Sequence, residues 1–106
     1  VFGTPVYWYG PTALMKAFID RFVYFNCPEN RVKIKGKEAA IVVPFEETNL
    51  KTAQPVVELF ELSLRYLEMT FEEKLLAPGV TIKGEVKEKP AFLEQAFEMG
   101  KRLAAS

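Results

Sequence analysis

Residues 38–45 read EAAIVVPF, and this stretch decides the class of fold that the chain adopts. Its apolar residues follow one another without interruption, whereas a strand with one face in water alternates apolar and polar residues. A continuous apolar run of this length is typical of a parallel strand that is covered on both faces. We expect the strand to end near Pro44, because proline has no backbone N–H to donate to a sheet.

Upstream of this stretch, the sequence predicts a buried strand followed by a helix. The strand runs from Val1 to Tyr7 and ends at a group of three aromatic residues. Gly10 and Pro11 break it, and Pro11 stands at or near the first position of the helix. The apolar stripe of this helix comprises Leu14, Met15, Phe18, Ile19 and Phe22. The segment from Phe25 to Lys37 is then a polar loop.

Downstream, the sequence predicts a second helix that runs to about Met69, with Thr52 as its N-cap and Pro55 in its first turn. Its apolar band is wider than contact with one sheet requires and comprises Val56, Val57, Leu59, Phe60, Leu62, Leu64, Tyr66 and Leu67. A third strand is predicted from Lys74 to Ala77, and a last helix begins at Pro90 after an exposed connection. The apolar face of the last helix comprises Leu93, Ala96, Phe97, Gly100 and Leu103.

The predicted order of elements is therefore β-α-β-α-β-α, which indicates an α/β protein. Such alternation is typical of a parallel sheet with right-handed crossovers and helices on both faces, a three-layer sandwich. Ligands of open α/β sheets bind beyond the carboxyl ends of the strands. We expect the loop after Tyr7 and the loop from Phe45 to Thr48 to be neighbours at that edge.

Length and charge exclude several classes of function. The chain has 106 residues, one domain at most, and its 14 basic residues balance its 14 acidic ones. A neutral chain has no electrostatic attraction to nucleic acid or to an anionic membrane, so neither is an expected partner. No apolar run approaches the roughly 20 residues that span a bilayer. Because the chain opens inside an apolar run, at Val1 and Phe2, we expect it to be a fragment that lacks its N-terminal part.

The residue types also restrict the chemistry. With no His in the chain, a Ser-His or Cys-His nucleophile is excluded. The single cysteine, Cys27, cannot form an internal disulfide and has no neighbouring ligands for a metal; a free thiol suits a reducing cytoplasm. No P-loop or G-x-G-x-x-G motif occurs. We therefore predict no catalytic side chain and no metal ligand.

The three consecutive aromatic residues, Tyr7, Trp8 and Tyr9, are the strongest candidate for a binding site. Successive side chains of an extended chain point to opposite faces, so one core cannot bury all three. Each ring carries roughly 150–250 Å² of surface, and leaving two in water forgoes on the order of several kcal/mol. This favours a flat apolar ligand, which Gly10 and Pro11 would leave room to approach. The alternative is that the rings pack on a neighbouring loop, and the residue types alone favour that alternative.

The stretch TPVYWYGPTALMKAFIDR, residues 4–21, resembles the NADPH-dependent FMN reductase family and its relatives, including the iron–sulfur flavoproteins. The matching positions are Thr4, Pro5, Tyr7, Lys16, Phe18, Asp20 and Arg21, with Met15 at a leucine position. GKEAAIVV, LRYLEM and LEQAFEMGKRLA are similar to the closing half of the same family. The resemblance implies a flavodoxin-like fold of which this chain supplies strands 3, 4 and 5. The N-terminal βαβ unit, with its phosphate-binding loop, is not in the sequence.

The resemblance also implies which residues contact the isoalloxazine ring of FMN. They are Thr4, Pro5, Val6, Tyr7, Trp8, Tyr9 and Gly10 in the first loop, and Glu47 and Thr48 in the second. The family often has a Gly-rich second loop, whereas this chain has an acidic pair that would disfavour the anionic reduced flavin. Lys16, Asp20 and Arg21 fit local pairing on the helix, and no catalytic role is assigned to them.

By the same resemblance the function is that of an FMN-dependent oxidoreductase that takes hydride from NAD(P)H, with flavin and nicotinamide nucleotide as partners. The cofactor carries out this chemistry, and the protein supplies orientation. A one-electron carrier is an alternative, as is a non-catalytic module for protein association. The wide apolar band from Val56 to Leu67 supports association, although it equally fits the homo-oligomer that is usual in the family. Without the phosphate-binding loop, we expect the chain to associate with itself or to bind flavin weakly.

Overall fold

A computed structural model describes residues 1–105 of the chain. The three strands are β1 (Phe2–Gly3), β2 (Glu38–Pro44) and β3 (Thr70–Ala77). The four α-helices are α1 (Ala13–Asp20), α2 (Pro28–Arg31), α3 (Gln54–Tyr66) and α4 (Pro90–Ala105). Short 3-10 turns occupy Arg21–Phe25, Leu50–Ala53 and Glu85–Glu88. The alternation of strands and helices predicted from the sequence is confirmed.

The strands form one parallel sheet in the order β1-β2-β3. Phe2 lies opposite Ile41 where β1 pairs with β2. The β2–β3 pairing ends where Pro44 lies opposite Ala77. Because all strands point the same way, their carboxyl ends meet at a single edge of the sheet.

Helices cover both faces of the sheet, as the uninterrupted apolar run in β2 predicts. Ile41 and Val43 face a large core that α1 and α3 complete, and its members include Ile19, Val56, Val57, Phe60 and Leu64. Ala40 and Val42, on the opposite face, pack with Leu75 and with Met99 of α4. The molecule is therefore a three-layer sandwich with a larger and a smaller core.

Two strand boundaries differ from the prediction. β1 has two residues instead of seven, because the chain leaves the sheet at Thr4, whose N–H makes the last hydrogen bond, 3.1 Å to the carbonyl of Val42. The next residue, Pro5, has no N–H to continue the pairing. β3 begins at Thr70 rather than at Lys74. Its first half contains Glu72 and Glu73, so the apolar pattern that predicts a strand is missing there. An edge strand tolerates such charged side chains.

The helix starts also differ by a few residues. α1 begins at Ala13, with Thr12 as its N-cap, and the Thr12 hydroxyl accepts a hydrogen bond from the Met15 N–H at 3.1 Å. α3 begins at Gln54 rather than after Thr52, because a 3-10 turn precedes it. The segment predicted as a polar loop contains the short helix α2.

Not every predicted apolar stripe is buried. In α1 only Ile19 is buried, whereas Leu14 and Phe18 are exposed. In α4 the predicted face is confirmed in part: Ala96 and Leu103 pack on the smaller core beside Met99, whereas Leu93 and Phe97 are exposed. The stripes mark apolar surface correctly, but the core of this chain covers only part of it.

Charged contacts connect α4 to the sheet, and Arg31 and Lys35 to the turn between α3 and β3. The guanidinium of Arg102 on α4 donates to both carboxylate oxygens of Glu73 on β3, at 2.8 and 3.0 Å. These hydrogen bonds lower the pKa of Glu73 and raise the pKa of Arg102. The carboxylate of Glu68, in the turn between α3 and β3, accepts a hydrogen bond from Arg31 and forms an ion pair with Lys35. Both contacts lower the pKa of Glu68. The paired, ionised form of each carboxylate is therefore the one that the fold favours.

Within residues 1–105, no helix is both long and apolar enough to cross a membrane. The same part of the chain contains no group of three or more His, Cys, Asp or Glu side chains that could hold a metal ion.

Candidate functional site

A hollow of about 410 Å³ lies at the carboxyl ends of β1 and β2. We call it the aromatic hollow; its walls come from the loop after β1 and the loop after β2, namely Val6, Trp8, Tyr9, Phe45, Glu46, Glu47 and Thr52. The two loops are therefore neighbours at this edge, as predicted. A volume of this size falls within the roughly 300–1,000 Å³ of typical small-molecule sites.

The first loop is a tight two-residue hairpin built on aromatic residues. The Tyr7 N–H donates to the Gly10 carbonyl at 2.8 Å, and the Gly10 N–H donates to the Tyr7 carbonyl at 3.1 Å. Between them, Trp8 and Tyr9 have φ angles of 50° and 66°. Positive φ at both central residues is the mark of a type I′ turn, which normally contains Asn and Gly. Holding two aromatic residues there costs about 1–2 kcal/mol each.

Burial in this chain does not offset that cost. The side chain of Trp8 is 95% exposed and that of Tyr9 is 60% exposed, and Tyr7 is also exposed. The rings thus project from the turn instead of packing into either core, and two of them form a wall of the aromatic hollow. A strained backbone that presents apolar rings to solvent is the kind of feature found at binding sites.

Hydrogen bonds of Thr4 and Thr12, at the base of the aromatic turn, hold this turn to the sheet and to α1. Thr4 is only 2% exposed, and its hydroxyl donates to the Pro5 carbonyl at 2.9 Å and accepts from the Thr12 N–H at 3.1 Å. Thr12 in turn caps α1. The loop between these two threonines is closed on itself, so the positions of its rings follow those of the strand and the helix.

The second loop, which follows β2, contributes a buried aromatic ring and two carboxylates to the lining of the aromatic hollow. Phe45 is buried, and its backbone is held by the β3–α4 connection: its N–H donates to Ala77 at 3.0 Å, and its carbonyl accepts from Val80 at 2.9 Å. Glu46 and Glu47 follow it and are exposed. Among the residues that the structure describes, no lysine or arginine lines the aromatic hollow. The hollow therefore combines aromatic walls with two carboxylates.

The structure brings together some of the predicted site residues and not others. Those that line the aromatic hollow are Val6, Trp8, Tyr9 and Glu47. Those that lie outside its lining are Thr4, Pro5, Tyr7, Gly10 and Thr48. The hydroxyl of Thr4 is occupied within the loop, as described above.

The prediction missed three residues of the lining, which are Phe45, Glu46 and Thr52. The first two belong to the loop from Phe45 to Thr48, which the sequence places at this edge without naming them as ligand contacts; their position beyond the carboxyl end of a parallel strand is the available signal. The sequence predicts Thr52 as a helix cap, and nothing in the pattern distinguishes that role from a place in the lining.

Comparison with known proteins identifies the family. The family model described as flavodoxin-like fold matches residues 1–102. The chain belongs to the flavodoxin-like fold family. One relative is YwqN of Bacillus subtilis (strain 168), a protein provisionally named as an NAD(P)H-dependent FMN-containing oxidoreductase. It is 25% identical over 109 residues, which cover 99% of this chain and 60% of that protein.

A solved structure extends the comparison of the fold. The Trp repressor binding protein from Bacillus subtilis superposes with a TM-score of 0.70 at 24% identity, covering 87% of this chain and 57% of that one. The likeness shows the flavodoxin-like fold and no more. This flavodoxin-like chain thus spans about 60% of the length of the relatives that it matches.

FMN is the cofactor that the family resemblance implies, and the flavodoxin-like site fits one end of it. Exposed rings beside a hollow of about 410 Å³ suit a planar apolar ring system such as isoalloxazine. The lining does not fit the phosphate end of FMN. Its described residues include two carboxylates and no basic side chain, so nothing there would neutralise the charge of a phosphate. The residues present therefore fit the ring of FMN and not its phosphate.

Proposed function

We propose that this chain is part of an FMN-dependent oxidoreductase and holds the isoalloxazine ring at the aromatic hollow. The observation that carries the proposal is the turn at Trp8 and Tyr9. Both residues have positive φ angles, hydrogen bonds of Thr4 hold the base of the turn, and the ring of Trp8 makes almost no contact with the rest of the protein. A flat ligand would bury surface that the chain leaves in water. The name of the relative YwqN gives the proposal independent support.

The proposed contacts to the flavin are the two loops at the carboxyl ends of β1 and β2. The residues are Thr4, Pro5, Val6, Tyr7, Trp8, Tyr9, Gly10, Glu47 and Thr48, to which we add Phe45 and Glu46. In this proposal the rings of Trp8 and Tyr9 touch the ligand, and Thr4 holds the loop in place. The other members shape the backbone around the ring.

FMN, when bound, accepts hydride from NAD(P)H and passes reducing equivalents to an acceptor. The residues of this chain bind and orient the ring and exclude water from one face of it. No side chain is proposed as an acid or a base. NAD(P)H is accordingly a co-substrate in the proposal, and the physiological acceptor is not specified.

We also propose that residues 1–106 form the C-terminal part of a single flavodoxin-like flavin-binding domain. The greater length of the relatives supports this, as does the lining of the hollow, which has no basic partner for a phosphate among the described residues. The phosphate-binding loop would then belong to another part of the domain. Assembly as a homo-oligomer and a cytoplasmic location complete the proposal.

A titration with FMN tests the proposed function directly. Trp8 is the single tryptophan of the chain, so its fluorescence reports on the aromatic hollow alone. We expect FMN to quench this fluorescence saturably and to bind at least several-fold more weakly to Tyr9→Ala. Tyr66→Ala is the matched control, since Tyr66 is exposed to a similar degree, 66%, on α3. Failure of FMN to quench, or equal loss in both variants, would refute the proposal.

A second candidate function, protein association without catalysis, is favoured by one surface. Leu62 and Tyr66 on α3 are exposed, and with Val23 they border a groove of about 450 Å³ between α3 and the end of α1. Light scattering over a range of protein concentrations tests this alternative. A colourless protein that takes up no FMN, and whose association is lost in Leu62→Ala, would favour it over the oxidoreductase.

A further inference from the structure

The aromatic hollow has two kinds of wall, and their combination bears on which ligands it accepts. Trp8, Tyr9 and Phe45 supply aromatic surface, and Glu46 and Glu47 supply two carboxylates. The face of an aromatic ring carries negative electrostatic potential, as a carboxylate does. Both walls therefore act in the same direction on a charged ligand.

The carboxylates of Glu46 and Glu47 have no ion-pair partner within the described part of the chain, and the lysines of the neighbouring segments lie outside the lining. Other carboxylates pair with nearby lysines or arginines. Two lysines belong to neighbouring segments but not to the lining: Lys51, in the turn that precedes α3, and Lys89, whose ammonium lies beside Gly79. A ring that enters the hollow thus meets an excess of negative potential.

We infer that the aromatic hollow selects planar rings by charge: it takes cationic heteroaromatic rings best, neutral ones less well and anionic ones least. This deepens the proposed function and rests on it in one respect, namely that the hollow is a site for aromatic rings. Applied to the proposed flavin, it favours the neutral oxidised ring over the anionic reduced one.

The expected size of the effect follows from the exposure of the two carboxylates. Interactions between charges in contact with water are weak and are screened by salt. For two such carboxylates we expect a preference of about three- to tenfold for a cationic over a neutral ring of the same shape at low salt. An anionic ring should bind more weakly than the neutral one by a similar factor, and half-molar salt should reduce both differences.

Three probes built on one pyridine ring test the inference: 1-methylnicotinamide, which is cationic, nicotinamide, which is neutral, and nicotinate, which is anionic. The single tryptophan gives one indole N–H resonance, and its chemical shift can be followed while each probe is added to the full chain. Saturation of the shift separates binding from random collision. We expect affinity to decrease in the order cationic, neutral, anionic.

Two double variants assign the effect to the hollow. Glu46→Gln with Glu47→Gln should reduce the spread of affinities to less than about twofold. Glu29→Gln with Glu72→Gln changes the net charge equally at exposed positions outside the lining, and should leave the spread unchanged. Equal affinities in the unaltered chain, no saturable binding of any probe, or the same spread in both double variants would overturn the inference.

An FMN titration on the same samples separates this inference from the proposed function. Binding of FMN without charge preference among the probes would overturn the inference and leave the function standing. Charge preference without FMN binding would leave the inference standing and refute the function.

Discussion

Replacing Trp8 by Asn should stabilise the protein while it weakens flavin binding. Trp8 occupies the first central position of a type I′ turn at φ 50°, where asparagine is the preferred residue. A left-handed conformation costs most L-residues about 1–2 kcal/mol, and asparagine less because its short side chain can hydrogen-bond locally. We expect the backbone to gain roughly 0.5–1 kcal/mol from the substitution.

The loss of the ring should offset only part of this gain. With the side chain 95% exposed, the folded chain buries about 10 Å² of it, worth about 0.3 kcal/mol. The net effect is a stabilisation of about 0.5 kcal/mol, which for a chain of this length raises Tm by about 2–4 °C. Bound flavin, by contrast, would lose about 100 Å² of ring contact, or roughly 2.5 kcal/mol.

Thermal unfolding followed by circular dichroism measures the first effect, and FMN titration followed by flavin fluorescence measures the second. Trp8→Ala is the matched control, because it removes the ring but keeps a side chain that disfavours positive φ. We expect its Tm to stay close to that of the unaltered protein and its flavin affinity to fall as in Trp8→Asn. A lower Tm for Trp8→Asn than for Trp8→Ala would refute the argument from backbone strain.

Three further predictions concern the fold and the base of the turn. Phe60→Ala should cost about 3–5 kcal/mol in urea denaturation, because the ring is fully buried in the larger core. Arg102 lowers the folded pKa of Glu73, so their bridge stabilises the fold at neutral pH and is lost as acid protonates the carboxylate. Glu73→Gln should therefore lose less stability than the unaltered chain between about pH 5 and pH 3. Thr4→Val should cost about 1–3 kcal/mol and weaken flavin binding, because it leaves a backbone N–H unpaired at the base of the turn.

Two of these predictions have a control variant within the chain, for Phe60→Ala and for Thr4→Val. Leu62→Ala, at a position 73% exposed on the same helix as Phe60, should change stability by less than about 0.5 kcal/mol. Thr4→Ser keeps the hydroxyl and should retain flavin affinity. An equal cost for both leucine and phenylalanine variants would contradict the assigned core. A steeper acid dependence in Glu73→Gln would contradict the role of the bridge.

The sequence predicted the larger features of the fold because they depend on short-range pattern. The uninterrupted apolar run in β2 indicated a strand covered on both faces, and Pro90 marked the start of α4. The three rings at Tyr7 to Tyr9 could not all be buried in an extended segment, and they are exposed. The motif in residues 4–21 pointed to the family to which the chain belongs.

Other features depend on which surfaces meet, and the pattern along the chain does not contain that information. The early start of β3 follows from its place at the sheet edge. The early end of β1 was available in the sequence, because Pro5 has no N–H to continue the pairing after Thr4. The exposure of Phe97 depends on which face of α4 meets the sheet.

Local pattern along the chain thus predicts the order of elements, the covered sheet and more aromatic surface than one strand can bury. The packing of the loops establishes that this surface stands on a left-handed turn and that Phe45 and two carboxylates line the hollow beside it. Side-chain periodicity reports which residues avoid water. It does not report which loops the parallel strands bring together, because that depends on the packing of segments about 40 residues apart.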